Sequence, residues 1–276
     1  MSTRAGYSNY AGRVSVVLLG LIMALPLIWL LLGAFKDSNA SIFLTPFSWP
    51  TGWKFSNFAA AWSEGSLGNG LWNSFLLTLF STVGTVVLGL WVGHGLARNL
   101  IPFPNLWLLA LPVGLALPVQ AYFIPLLDIL RLLHLHDTLL GLMGSHIAQN
   151  LPLAAMLFRA WFVQQPRDIE EAASLDGVPA AQLYWQILLP CARPVATTVA
   201  ILTALNVWNE FILALVVVND PLRRVMPTSM IAFEQAHSTN YPALLAGLAL
   251  LSVPPLIALA ILNRQIVQGV MRGAIK

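Results

Sequence analysis

Six apolar runs, each about as long as a bilayer is thick, dominate this chain: residues 14–35, 71–97, 106–127, 138–163, 194–218 and 242–262. A helix rising ~1.5 Å per residue needs roughly 20 residues to cross the hydrocarbon. Inside it, the backbone must satisfy its own polar groups. The runs therefore predict an all-α polytopic membrane protein with six transmembrane helices in a single domain, residues 1–276. Charged residues make up only 9% of the chain, against about 25% in soluble domains. The mean hydropathy is +0.75. No internal repeat or low-complexity segment interrupts this pattern. The run at 14–35 is too long for a signal peptide and no small-residue cleavage site closes it, so it reads as a retained first span. The single cysteine, Cys191, excludes an intrachain disulfide framework.

An even number of spans puts both termini on one side, and the distribution of basic residues chooses the side. With both ends inside, inner segments and inner span ends hold nine of the 14 basic residues: Arg4, Arg13, Arg98, Arg159, Arg167, Arg193, Arg264, Arg272 and Lys276. The outer loops hold the other five, Lys36, Lys54, Arg131, Arg223 and Arg224. The bias predicts cytoplasmic termini and a cytoplasmic segment 164–193. The net charge of +3 is spread without a basic run, so no nucleic-acid partner is expected.

Segment 164–193 carries DIEEAASLDGVPAAQLYWQILLP, the longest charge-bearing amphipathic stretch. Asp168 with Glu171 three positions on predicts a capping box with Asp168 as N-cap. Glu170 and Glu171 sit where the helix dipole favours negative charge. Gly177 suits a helix-ending residue with positive φ. Pro179 is expected to open a second short helix at its first position, and Pro190 to close it. Leu183, Tyr184, Ile187 and Leu188 form a stripe, of which Ile187 and Leu188 are expected to pack back on the helix ends.

This stretch resembles the EAA loop of ATP-binding-cassette importer permeases, most closely those of the maltose type, and the resemblance covers nearly the whole chain. The residues that carry it are Glu171, Ala172, Ala173, Asp176, Gly177, Ile187, Leu189 and Pro190, as EAAxxDG followed at fixed distance by IxLP. The resemblance implies a six-helix permease with a cytoplasmic coupling loop and no enzymatic activity of its own. It further implies a second homologous permease chain, two nucleotide-binding ATPase subunits that carry the ATP and Mg, and an external solute-binding protein. Those eight residues would then couple to the ATPase, and this chain itself would bind no cofactor or metal. The location implied is a bacterial or archaeal cell membrane, and the solute a sugar or sugar-like molecule. The tail NRQIVQGVMRGAIK resembles the segment that reaches the ATPase pair, or serves as an interfacial basic anchor.

The polar residues within the spans are candidates for the solute pathway or for helix packing. Thr203, Asn206 and Glu210 follow i, i+3, i+7 on one predicted helix face, with Asn209 beside them. Counted from Pro194, Glu210 lies about 24 Å along the fifth span at ~1.5 Å per residue. A lone carboxylate there costs at least about 2.5–3.5 kcal/mol in lipid, so it needs a partner or water. The segment also resembles the WNEF-type motif of the same permeases. Gln120, His94, His146, Gln149 and Asn150 carry the same two readings. Pro112, Pro118 and Pro125 predict a kinked third span.

The outer loop 36–70 holds Trp49, Trp53 and Trp62, expected at the membrane interface. The outer loop 219–241, with Pro221, Arg223, Arg224 and Glu234, is by resemblance a contact surface for the binding protein. His134 and His136 lie in an outer turn without metal-ligand spacing. A membrane enzyme is disfavoured by the lack of an HExxH pair, a GxSxG elbow, a P-loop or a deep carboxylate pair. A secondary carrier is disfavoured by the lack of repeats with ion-coupling groups.

Overall fold

A computed structural model describes residues 4–233 and 239–274, with side chains for 13–233 and 239–261. Glu234 and the side chains of the tail 263–276 lie outside the described residues. All regular structure among the described residues is helical. In order the helices are α1 (Arg4–Ala34), α2 (Asn39–Leu44), α3 (Ser56–Glu64), α4 (Leu67–Arg98) and α5 (Pro104–Ala116). After a 3-10 turn (Val119–Tyr122) come α6 (Phe123–Leu132), α7 (Leu139–Val163) and α8 (Asp168–Leu175). Then follow α9 (Ala180–Gln182), a π-helical stretch (Leu183–Leu188), α10 (Leu189–Cys191), α11 (Arg193–Asn209), α12 (Ile212–Val217), α13 (Met226–Ser229) and α14 (Tyr241–Ala274). The chain groups into two compact units, Met1–Gly68 with Ser229–Pro254, and Asn69–Thr228 with Pro255–Lys276.

Among the described residues, three helical stretches are long and apolar enough to cross a membrane, Arg13–Ala34, Leu67–Arg98 and Tyr241–Ile261. Two bent pairs raise that number to five if each pair is one span. The 25-residue α7 also spans about 37 Å at ~1.5 Å per residue, although it carries His146, Gln149 and Asn150. The third run is more than kinked. Pro104–Ala116 and Val119–Leu132 meet at 108°. The cause is local: Pro118 forces Leu117 out of the helical region, to φ −73° and ψ 119°. Pro112 lies within α5 without ending it.

In the first unit, the apolar side chains of α1 stand exposed, as a lipid-facing helix requires; Val16 and Met23 are 70% and 78% accessible. Phe35, just past its end, packs edge-on against Trp53 with centroids 4.9 Å apart. Trp49, Trp53 and Trp62 are all exposed. Lys36, counted among the outer-loop cations, is buried. Its Nζ donates to the carbonyls of Ser41 (2.8 Å), Thr45 and Pro46 (3.2 Å). A cation there closes the C-terminal end of α2, where the helix dipole favours positive charge.

In the second unit, α4 and α7 run parallel and close together because glycines line the contact. A Cβ on Gly89 would stand 2.7 Å from the Ala154 Cβ. One on Gly93 would stand 2.5 Å from the Phe158 Cβ and 2.8 Å from the Ala155 carbonyl oxygen. Small residues let helix backbones approach where no water drives association. Asn99, at φ 57°, takes the left-handed conformation that ends α4, and Leu100 N–H returns to the Gly95 carbonyl at 2.8 Å. Gly93→Ala is expected to overpack this contact by about 1–3 kcal/mol. It should lower the melting temperature of the detergent-solubilised protein, whereas Gly144→Ala, with open space at its Cβ, should not.

Candidate functional site

The segment between α7 and α11 forms an elbow. Its first arm, α8, starts differently from the expected capping box. Arg167 stays helical at φ −77° and ψ −15°, and no side chain caps the end, so Asp168 is the first helical residue. The Arg167 carbonyl takes both the Glu170 (2.9 Å) and Glu171 (3.0 Å) N–H groups. The three acids of the first turn still complement the dipole.

The far end of α8 closes as a full Schellman motif. Gly177 sits at φ 70°, its N–H donates to Ser174 O (3.1 Å), and Val178 N–H donates to Ala173 O (3.0 Å). The elbow angle is thus fixed by backbone hydrogen bonds at a residue that tolerates positive φ.

The second arm departs from expectation at both ends. Pro179 is the cap, and Ala180 opens α9. Pro190 does not close the arm, which continues to Cys191 and breaks at Ala192, where the chain turns 83° into α11. A proline in a helix clashes with the carbonyl four residues back. Widening to a π-turn relieves this, and Leu189 N–H reaches back to Tyr184 O.

The two arms present different faces. Ala173 is 6% exposed and Leu188 is 4% exposed. Leu188 packs in a cluster with Leu90, Phe158, Phe162 and Ala192, and Leu183, Tyr184 and Leu189 lie against it. Ile187 is half-buried. Glu171, Ala172, Asp176, Gly177 and Pro190 are exposed, and Leu175 is 89% exposed at the elbow's tip. Of the small pair, Ala172 faces outward and Ala173 inward.

A polar cluster absent from the sequence reading ties both arms to α4. Glu170 Oε1 accepts from Arg98 Nη2 (2.8 Å) and Nε (3.0 Å), and Arg98 Nη2 also donates to Gln165 O (3.2 Å). Glu170 Oε2 lies 3.0 Å from His94 Nε2, and His94 Nδ1 lies 2.8 Å from Tyr184 Oη. The His94 ring packs edge-on between Phe162 and Tyr184, at 4.9 and 5.3 Å. Burial pushes the Glu170 carboxyl up, but the Arg98 and His94 hydrogen bonds and nearby charge outweigh it and hold it below the usual carboxylate value. Burial, aided by the Glu170 charge, raises the Tyr184 phenol. The one signal in the sequence was a cation closing α4 and an acid opening α8, which are 72 residues apart.

The mid-chain polar residues divide into two sites. Asn150 of α7 and Asn206 of α11 meet at 3.3 Å. With Thr203 they line a cleft of about 240 Å³, walled by Leu153, Ala154, Leu157, Val199 and Leu202. Glu210 does not share their helix face, because α11 ends at Asn209 and Glu210 is extended at φ −74° and ψ 125°. Its carboxylate has a partner in the backbone: Oε1 accepts Leu213 N–H (2.8 Å) and Oε2 accepts Ala214 N–H (3.1 Å). It therefore caps α12, giving acceptors to amides that a broken span would leave unpaired. Asn209 bonds back to Leu205 O at 2.7 Å.

Gln120 is exposed in the 3-10 turn. His146 is fully buried, with no hydrogen-bond partner on either ring nitrogen among the described residues. Asp137 Oδ1 accepts from the Asn219 (2.8 Å) and Asp220 (3.0 Å) amides, which fastens the α6–α7 turn to the loop after α12. The Asp220 amide bond outweighs burial and holds that carboxyl below its usual value. Among the described residues, no group of His, Cys, Asp or Glu could hold a metal ion.

The described residues form an all-helical fold with an elbow between two of its helices, and the comparisons with known proteins give its family. The profile described as "Binding-protein-dependent transport system inner membrane component" matches residues 85–272, and the chain belongs to that family. It is 33% identical over 271 residues to the probable ABC transporter permease protein YurM of Bacillus subtilis, covering 97% of this chain and 90% of that one. It is 31% identical over 263 residues to the diacetylchitobiose uptake system permease protein NgcG of Streptomyces coelicolor, covering 95% and 87%. The fold matches a chain of a crystallised bacterial ABC transporter that imports the acidic polysaccharide alginate, with TM-score 0.80, 18% identity and coverage of 96% and 98%. The chain is thus an inner-membrane permease of a binding-protein-dependent ABC importer, from a family of transport subunits and not of enzymes. Such a permease works with ATP-hydrolysing and solute-binding partners.

Glu210→Ala removes the cap of α12 and should cost about 0.5–2 kcal/mol. The expected outcome is a lower melting temperature with faster amide exchange at Leu213 and Ala214; unchanged exchange at both would remove Glu210 from this role.

Proposed function

We propose that this chain forms half of the translocation pathway for a sugar or sugar-like solute and is driven by ATPase subunits that dock on its elbow. The observation that carries this reading is the asymmetry of the elbow. One side is bonded into the chain through Ala173, Leu188 and Glu170, while Glu171, Ala172 and Leu175 stand free. An exposed leucine on a rigid projection outside the lipid calls for a protein partner. Glu171, free of intrachain bonds to its carboxylate among the described residues, is placed to pair with a basic residue there. Asp176, Gly177, Ile187, Leu189 and Pro190 set the elbow's shape.

In this reading six spans carry one permease domain, with both termini and the elbow cytoplasmic, as the positive-inside bias favours. A second homologous permease completes the pathway. Two ATPase subunits bind ATP and Mg, this chain binds no cofactor, and an external binding protein delivers the solute. The sugar class draws support from relatives named for diacetylchitobiose, trehalose and arabinooligosaccharide transport. The polar cleft of Asn150, Thr203 and Asn206 is the part of this chain best suited to pass a hydroxyl-rich solute, since exposed amides facing lipid would be costly. Gln120, Asn209 and Glu210 serve helix breaks and packing more than ligand contact.

Closure of the ATPase pair would push the elbow and exchange outward-facing for inward-facing states through contacts that differ between them. In proteoliposomes holding the assembled complex and its binding protein, uptake of diacetylchitobiose, trehalose or arabinobiose should require internal ATP. Uptake driven by an ion gradient alone would contradict the proposal. Gly177→Pro and Glu171→Lys should insert normally and lower uptake per ATP hydrolysed by about 5–150-fold, the usual range of coupling between sites.

A further inference from the structure

Resting on the importer reading, we infer that Glu170, Arg98, His94 and Tyr184 form a clamp that makes the elbow and the end of α4 move as one body. Glu170 is then a positioning residue, distinct in role from its neighbour Glu171. Three separate elements meet in the cluster: Arg98 and His94 from α4, Glu170 from the first arm, and Tyr184 from the second. His94 bridges the arms, so the elbow is fixed at Gly177 by its backbone and again across its open side.

Both ring nitrogens of His94 have partners. Nε2 faces Glu170 Oε2, where an N–H donates to the carboxylate, and Nδ1 faces the Tyr184 hydroxyl, which can both donate and accept. Arg98 supplies the charge that Glu170 needs once desolvated. The Arg98, Glu170 and His94 side chains are 7%, 18% and 3% exposed. A pair this enclosed resists separation, because pulling it apart leaves an unpaired buried charge. The geometry is also directional, with two guanidinium nitrogens on one carboxylate oxygen.

A docking helix held only by apolar contact could slide on its neighbours. One pinned by charge-assisted bonds transmits its displacement. Loosening the clamp should therefore spare docking and ATP hydrolysis while the elbow moves without α4.

The test is a distance measurement in the assembled complex. Spin labels are placed at Ser174→Cys on the elbow and Leu100→Cys beyond α4, both exposed, in a Cys191→Ser background. Pulsed electron resonance compares the nucleotide-free complex with the complex trapped by ATP and vanadate. The clamp predicts one narrow distance, unchanged between the two states, in the otherwise native protein. It predicts a broadened or shifted distance in Glu170→Gln and in Tyr184→Phe, with ATPase activity within about twofold and transport reduced about tenfold or more, inside the range of intersite coupling. Tyr184→Phe keeps the ring and removes one hydroxyl, so it separates the clamp from a folding defect.

A distance that changes with nucleotide in the native background would overturn the clamp while leaving the importer reading intact. So would unchanged distance and transport in both variants. If the native chain fails to co-purify with any ATPase subunit, the importer reading falls first, and the clamp's role in coupling falls with it.

Discussion

Hydrocarbon offers no hydrogen bonds, so each break in a membrane helix must be supplied with partners by the chain itself. Two breaks inside the apolar runs show two solutions, and the elbow between those runs adds a third, at a proline. At Pro118 an imino nitrogen removes one donor and forces the turn between α5 and α6. At Glu210 a carboxylate takes over two amides of α12. Before Pro190 the helix widens to a π-turn, which accommodates the ring without ending the arm. The polar and proline residues that look most like functional groups in a greasy sequence are thus partly the means by which its helices bend.

The same economy shapes the elbow. Gly177 is needed because the Schellman closure demands positive φ, where an L side chain would be strained. The adjacent acids divide their tasks by one residue's rotation on the helix, about 100°. Glu170 turns toward α4 and is consumed by Arg98 and His94, while Glu171 turns outward. A rigid connector with one bonded side and one free side is suited to passing motion from a docked partner to a bundle, as the proposed role requires.

Much of this was legible in the residues. The apolar runs located α1, α4, α7 and α14, since length and hydropathy depend on local composition alone. Gly177 was legible because a helix-ending glycine has one conformational reason to be there. The misplaced features share a different cause. Thr203, Asn206 and Glu210 share one face only on an unbroken helix, and periodicity carries no information about where a side chain will replace the ladder. The capping box at Asp168 did not form because Arg167 continued winding and its carbonyl took both glutamate amides. The clamp was invisible because Arg98 and Glu170 come together only through tertiary packing of α4 against α8.

In the proposed function, the free side of the elbow faces the cytosol and touches an ATPase. Photocrosslinking from a photoreactive amino acid placed at Leu175, the most exposed apolar residue of α8, tests it most directly in intact cells. The account predicts a covalent adduct with the nucleotide-binding subunit, together with protection of Leu175→Cys from membrane-impermeant thiol reagents added outside. An adduct with the external solute-binding protein, or labelling of that cysteine from the outer face, would contradict it.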